Sequence, residues 1–370
     1  MNTKYISQNP QHFPISKTRL LFFDIFYKNN KIYMIMPIYN TPAASKDITL
    51  TINNSILKLT ESYIKDSNEP ILIYIYDYIT PPNTIIKVNV SIINNMKQSY
   101  SLMHINTLTD INTINTINTI NTINTRTRTN KFLALTTLFK HDYYLFPLFY
   151  NYYKEQGVDH FFMYYNGVIT QGIKKLFDKP DVTLVEWNFH YWNPRGVKYP
   201  HHAQMGQMHH ALYKYGKDVY DYMIFCDLDE YLHIPKNKCI ETIENIENIA
   251  NIAPNSEEYI DNTIRKFITN NPNIEVFGFC NFWSDTIDGS IPSSPHLPKK
   301  FLAVRDPVEY LERSKNIYKV ASINTIGIHQ IGDGVHVNMK HIVDLKMYHF
   351  YKWSSKNRKI ENCTHDVELN

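Results

Sequence analysis

Residues 105–130 divide this chain, because no single folded unit runs easily through them. From Ile105 to Asn130 the triplet Ile-Asn-Thr recurs and then gives way to Thr-Arg-Thr-Arg-Thr-Asn. A period of three drifts around a helix and fails to alternate in a strand, so its isoleucines cannot gather on one buried face in either. The tract reads as a poorly ordered linker, inclined to β-aggregation because Ile and Thr favour extended chain. It separates residues 1–104 from residues 131–355, which are followed by a tail over 356–370. A second tract of similar style, Ile240 to Ala253, reads as a surface insertion.

Before the linker, Ile32 to Tyr39, Asp47 to Leu59, Ile71 to Tyr78 and Thr84 to Ile93 read as alternating strands rich in Ile, Tyr, Val and Thr, with turns at Asn29-Asn30, Ser67-Asn68 and Pro81-Pro82-Asn83. Several short strands without a helical pattern predict a small, all-β, sandwich-like accessory domain. It shows no chemistry, since His12 and His104 have no partners at ligand spacing. After the linker, strands alternate with helices. Lys131 to Leu138, His160 to Tyr165, Val182 to Trp187 and Asp221 to Cys226 read as strands, and Tyr143 to Gln156, Gln171 to Phe177 and Ala203 to Tyr215 as helices. That order predicts a mostly parallel α/β sheet flanked by helices, with its ligands at the carboxyl ends of the strands.

With 370 residues, 43% of them hydrophobic, the chain can bury two cores, and a net charge of +3 is too small to mark a nucleic-acid surface. The apolar runs Leu20–Phe26 and Ile32–Tyr39 fall short of the roughly 20 residues a membrane helix needs. Met1–Pro14 lacks the pattern of a signal peptide, and four scattered cysteines suggest neither a disulfide framework nor a zinc site. A cytoplasmic location is the expectation. The Asn- and Ile-rich tracts fit an AT-rich genome, such as that of a large DNA virus whose enzymes act in host cytoplasm.

The informative segment is the apolar strand Tyr222-Met-Ile-Phe-Cys226, which runs into Asp227-Leu-Asp-Glu-Tyr-Leu232. If the chain stays extended, Asp227 and Asp229 point to one side while Leu228 anchors in the core. Two such carboxylates suit Mg²⁺ or Mn²⁺, which take one or two protein oxygens and complete their shell with water and substrate phosphate. His202 and His209 share a helical face but stand two turns, about 10 Å, apart, too far to chelate one ion. Two enzyme families use such a strand end. In haloacid-dehalogenase-like phosphatases Asp227 would be the nucleophile, and Ile331-Gly-Asp-Gly-Val-His-Val-Asn338 resembles their later metal loop; but Glu230-Tyr231 stands where that family has Gly-Thr, and the loop lacks a second Asp.

The second resemblance is wider. Lys140-His-Asp142, Tyr150 to Asn166, Gln204, Asp227-Leu-Asp-Glu-Tyr-Leu232, Ile326-Gly-Ile-His329 and Tyr348-His-Phe-Tyr-Lys352 occur in the order found in glycosyltransferase family 92, which the chain resembles over most of 131–355. The resemblance implies a GT-A-type fold and metal-dependent transfer of a hexose from a nucleotide-sugar, a UDP-sugar, to a hydroxyl on a glycan or protein. It implies nucleotide contacts from Thr136, Lys140, Asp142, Asn166, Gln204 and Asp227, and a Mn²⁺ (or Mg²⁺) ion on Asp227, Asp229 and His329, with His349 as second choice. Asp229 would act through that ion. If the sugar is inverted, a carboxylate must accept the acceptor's proton, and Asp285, in the later strand-then-acid segment Phe277 to Gly289, is the candidate base, with Asp288 behind it. A non-catalytic carbohydrate-binding protein of the same fold is a third reading.

Overall fold

The computed structural model describes residues 9–15, 20–37, 48–65, 71–81, 84–92, 96–105, 131–191, 203–234, 263–293, 296–305, 313–329, 339–354 and 366–368. The Ile-Asn-Thr linker, the Ile240–Ala253 tract and the Gly-Asp-Gly run lie outside these residues.

In the amino-terminal part, strands Asp24–Lys28, Lys31–Pro37, Glu61–Lys65 and Ile71–Asp77 pair antiparallel, and so do Thr49–Ile52, Ser55–Ile56, Ile85–Ser91 and Lys97–Ile105. A short parallel pairing of His104 and Ile105 with Tyr27 and Lys28 links the two groups. Two hairpins turn on Asn29-Asn30 and Asn53-Asn54, whose φ values of 51°, 60°, 50° and 64° are the left-handed pair such tight turns require. The outer strand Ile85–Ser91 alternates as expected: Ile86, Val88 and Val90 face the domain's core and Ile85, Lys87 and Asn89 face water. Ile71–Tyr76 does not alternate, because it is buried on both faces. Leu72, Tyr74 and Tyr76 join the domain's own core, while Ile71, Ile73 and Ile75 pack with Phe23, Phe26, Tyr33 and Ile35 against the carboxy-terminal part.

What covers that second face is the helix Ala203–His210, which continues as a π-helical turn, Ala211–Gly216. The helix is buried all round, so Gln204 and Gln207 are not surface residues. Met205, Met208, Leu212 and Tyr213 share one core with the amino-terminal sheet and with Trp187, Phe162 and Tyr164. Inside this interface sits a charged group. Asp24 Oδ2 accepts from His210 Nε2 at 2.7 Å and Lys214 Nζ at 2.8 Å, and Tyr164 Oη lies 2.7 Å from His210 Nδ1. Burial alone would raise the Asp24 carboxyl, but Lys214 and His210 outweigh it and bring it down to about 2. His210 is pushed down to about 4 by burial and by Lys214, so its neutral ring donates to Asp24 and accepts from Tyr164.

The carboxy-terminal sheet is mixed, which corrects the expectation of a mostly parallel one. In the order Val182–Glu186, His160–Tyr165, Lys131–Phe139, Tyr220–Phe225 the strands are parallel. Beyond Tyr220–Phe225, strands Lys315–Lys319, Val276–Asp285, Lys300–Arg305 and Asp366–Glu368 pair antiparallel. The parallel half has helical crossovers, Phe146–Glu155, Gln171–Leu176 and Ala203–His210, and a further helix, Ile264–Asn270, precedes Val276–Asp285. Residues 366–368, within the expected tail, form the last of these strands. Glu230–His233 pairs antiparallel with the end of Met339–His349, which itself runs parallel to Val276–Asp285. Among the described residues no helix is long and apolar enough to cross a membrane.

Three buried histidines set the acid limit of this fold. Burial holds His160 down to about 3 and His209 and His210 down to about 4. Each stays neutral in the fold but protonates near 6.5 once unfolded, so the unfolded chain binds more protons and stability falls with pH across that interval, by up to about 1.4 kcal/mol per pH unit per group. The raised carboxyls of Glu230 and Asp142 take up protons in the fold over the same window and offset part of this, so the urea midpoint is expected to drop from pH 6.5 to pH 4.5 less steeply than three histidines alone would give. A midpoint that rose over that window would contradict the neutral, buried assignment.

Candidate active site

The chain order reverses at strand Lys131–Phe139: successive strands first add on one side, at His160–Tyr165, and then on the other, at Tyr220–Phe225. At such a switch point the loops leaving the two central strands diverge and open a crevice. Here the crevice is a cleft of about 710 Å³, lined among others by Phe139, Lys140, Asp142, Asn166, Phe189, Gln204, Asp227, Asp229 and His349. A second hollow, of about 410 Å³ beside helix Phe146–Glu155, has Lys175 and Lys179 in its lining but no carboxylate.

The two aspartates reach the cleft differently from the extended-chain expectation. The backbone turns after the strand, with Glu230 N donating to Asp227 O at 3.1 Å, while Asp227 N donates to Glu230 Oε2 at 2.7 Å. Leu228 is fully buried, as expected, and the turn leaves Asp227 and Asp229 both facing the cavity. Asp227 is held on both oxygens, by Gln204 Nε2 at 3.0 Å on Oδ1 and by Lys315 Nζ at 3.0 Å on Oδ2. Lys315 is buried and also lies 3.2 Å from Glu230 Oε2. Burial works against its charge, yet Asp227 and Glu230 outweigh that and raise it above the usual lysine range. Glu230 is pushed up to about 7, by burial first and against the pull of Lys315.

Asp229 is 3% exposed, accepts from the Ser354 hydroxyl, and stands 3.5 Å from His349 Nε2. Burial opposes ionisation of both partners; their mutual attraction prevails, so Asp229 is lowered and His349 raised. His349 stacks on Trp283 at 4.9 Å between ring centres. Asp142 faces the same cleft and is pushed up to about 6 by burial and by the charges of Asp229 and Asp227. The cleft thus holds more negative charge than its own cations relieve comfortably, and its donors are hard carboxylate oxygens, a set that fits Mg²⁺ or Mn²⁺. Among the described residues no three His, Cys, Asp or Glu side chains gather closely enough to enclose an ion by themselves, so water and substrate oxygens would have to complete any shell.

The other expected residues divide. Lys140, Asp142, Asn166 and Gln204 line the cleft. The Asn166 amide is committed to the backbone, donating to Trp187 O at 2.9 Å and Phe189 O at 2.8 Å. Thr136 lies below the cleft floor, accepting from Gln207 Nε2 at 2.7 Å and donating to Phe162 O at 3.0 Å. His329 is absent from the lining, and burial with the nearby Lys315 charge pushes its ring down to about 3; the imidazole beside the acids belongs to His349. Asp285 pairs with Lys352 and does not line the cleft, though its Oδ1 is buried without a partner. Asp288 is exposed and caps a turn through Ser290. His209 bonds to Met205 O and Ile326 N, roles within the fold. Lys315, Ser354 and Phe189 were not anticipated: each comes from a segment without acidic or glycine-rich character, and only tertiary structure brings them in.

The sequence model of glycosyltransferase family 92 matches residues 135–368, more than half of the chain and every residue that lines this cleft. No curated protein matches the chain.

Proposed function

Because the chain belongs to glycosyltransferase family 92, we propose that it is a metal-dependent enzyme of GT-A type, moving a hexose from a UDP-sugar to a hydroxyl of a glycan or glycoprotein. The observation that carries this reading is the pair Asp227 and Asp229, both facing a cleft of about 710 Å³ at the switch point of the sheet. That volume lies in the range that takes a small-molecule or cofactor ligand. Asp227 and Asp229, with His349 beside them, would hold the ion, which when bound neutralises the charge growing on the departing diphosphate. Gln204 and Lys315 fix Asp227, and Ser354 and His349 fix Asp229, so the acids are in place before the donor arrives. Lys140, at the mouth, adds a cation for the phosphates. Asp285 is proposed as acceptor-side base, supported by its partnerless Oδ1 and its place two residues after Trp283, whose ring lies on His349. The phosphatase reading gains nothing from these observations: the family match is to a glycosyltransferase, and Glu230-Tyr231 follows the acids where a phosphatase has Gly-Thr.

Titration calorimetry with uridine diphosphate, with and without Mn²⁺, tests the proposal. Binding that requires the ion is the expected outcome. Equal binding without it would remove the metal from the reading, and release of phosphate from small phosphomonoesters would replace the reading altogether.

A further inference from the structure

We infer that the amino-terminal β-domain builds part of the donor cleft, with His12 and Phe23 as positioning residues that act through Phe189. This rests on the transferase reading above. Phe189 lines the cleft and is only partly buried. Its backbone is fixed from the carboxy-terminal sheet, where Asn166 Nδ2 donates to its carbonyl at 2.8 Å. Its ring is fixed largely from the other domain. Three rings meet it near right angles: Trp187 at 4.8 Å and 78°, Phe23 at 5.2 Å and 79°, and His12 at 5.4 Å and 86°.

Phe23 braces the second wall as well. It stacks on Trp187 at 5.5 Å and fills the space above Gly206, where an added Cβ would lie 2.5 Å from its ring. Gly206 is two residues from Gln204, whose amide holds Asp227. One side chain of the amino-terminal domain therefore touches both the loop carrying Phe189 and the helix carrying Gln204. Neither His12 nor Phe23 lies within the residues matched by the family model. A partly exposed phenyl ring held on three sides has lost its rotamer freedom before a ligand arrives, which lowers the entropic cost of binding against it.

The test uses the full chain and uridine diphosphate with saturating Mn²⁺, with the dissociation constant read by calorimetry and the melting temperature in parallel. His12 is exposed, so His12→Ala should leave the melting temperature unchanged while weakening binding about 2- to 10-fold, the range of one aromatic pair. His12→Phe, which restores a ring, should recover the affinity. Phe23→Leu should weaken binding further and also lower the melting temperature. Unaltered affinity in His12→Ala would overturn the inference while leaving the transferase reading standing. If the unmodified chain fails to bind the nucleotide, the transferase reading falls and takes this inference with it.

Discussion

Asp229→Asn should lower donor turnover by about 10²–10³-fold while the protein stays folded, the magnitude typical of losing one preorganised electrostatic contact to a developing charge. The substitution keeps the shape of the side chain and can still accept from the Ser354 hydroxyl, but it removes the charge that His349 answers. Asp229 is buried and ionised only because that partner outweighs the cost of burial, so its amide counterpart leaves a cleft still shaped for a nucleotide but with a poorer seat for an ion. The ionised carboxylate contributes stability above the unfolded carboxyl range and loses it as pH falls through its lowered folded value, so the variant's stability deficit should shrink in acid. Steady-state release of uridine diphosphate, with Mn²⁺-dependent nucleotide binding measured alongside, checks this. Wild-type turnover in Asp229→Asn would show that the acid pair is not the reacting site.

Lys315→Met should cost about 3–5 kcal/mol of stability, because it strips the shared cation from two carboxylates on the sheet floor. Lys315 is 2% exposed and bonded to Asp227 at 3.0 Å and Glu230 at 3.2 Å, and Met matches its length without its charge. Without Lys315 the burial of Glu230, which is already pushed up to about 7, loses its largest offset, so the loss should be greatest at alkaline pH, where that carboxyl must ionise, and smaller near pH 5. The double variant Lys315→Met with Glu230→Gln should recover a large part of the loss. Urea unfolding of the four proteins in this cycle gives the coupling directly, and additivity of the two substitutions would show that Lys315 and Glu230 do not interact.

How far such a site can be read from a chain depends on whether its parts are local. The strand Tyr222–Cys226 and the acids after it were legible because an apolar run ending in Asp-x-Asp is a contiguous signal, and a site at the carboxyl ends of the strands followed from the alternation of strands and helices. The reason Asp227 and Asp229 converge was not legible: the cause is a tight turn closed by Glu230, where an extended strand was expected. The histidine facing Asp229 is His349, the second choice from the sequence behind His329, because the ranking depends on the register in which Glu230 pairs with His349 across some 120 residues of chain. Buried lysine leaves no periodic trace, and Lys315 sits in the short strand Lys315–Lys319 whose two faces are both covered. The docking of the amino-terminal sheet did leave one. Ile71–Tyr76 is apolar without alternation, whereas Ile85–Ser91 alternates, and that contrast marks a strand buried on two faces beside one that meets water.

That doubly covered sheet carries a consequence for how the protein is made. The face bearing Phe26, Tyr33, Ile73 and Ile75 leaves the ribosome well before the helix that will cover it, Ala203–His210, has been synthesised. At ordinary translation speeds the interval is on the order of 10 s. During that time a nascent, pleated, apolar surface ending in Asp24 waits without its counterion Lys214 and its hydrogen-bond donor His210. The order of synthesis therefore sets an order of completion, because this face of the amino-terminal sheet gains its cover only once residues 203–213 have emerged.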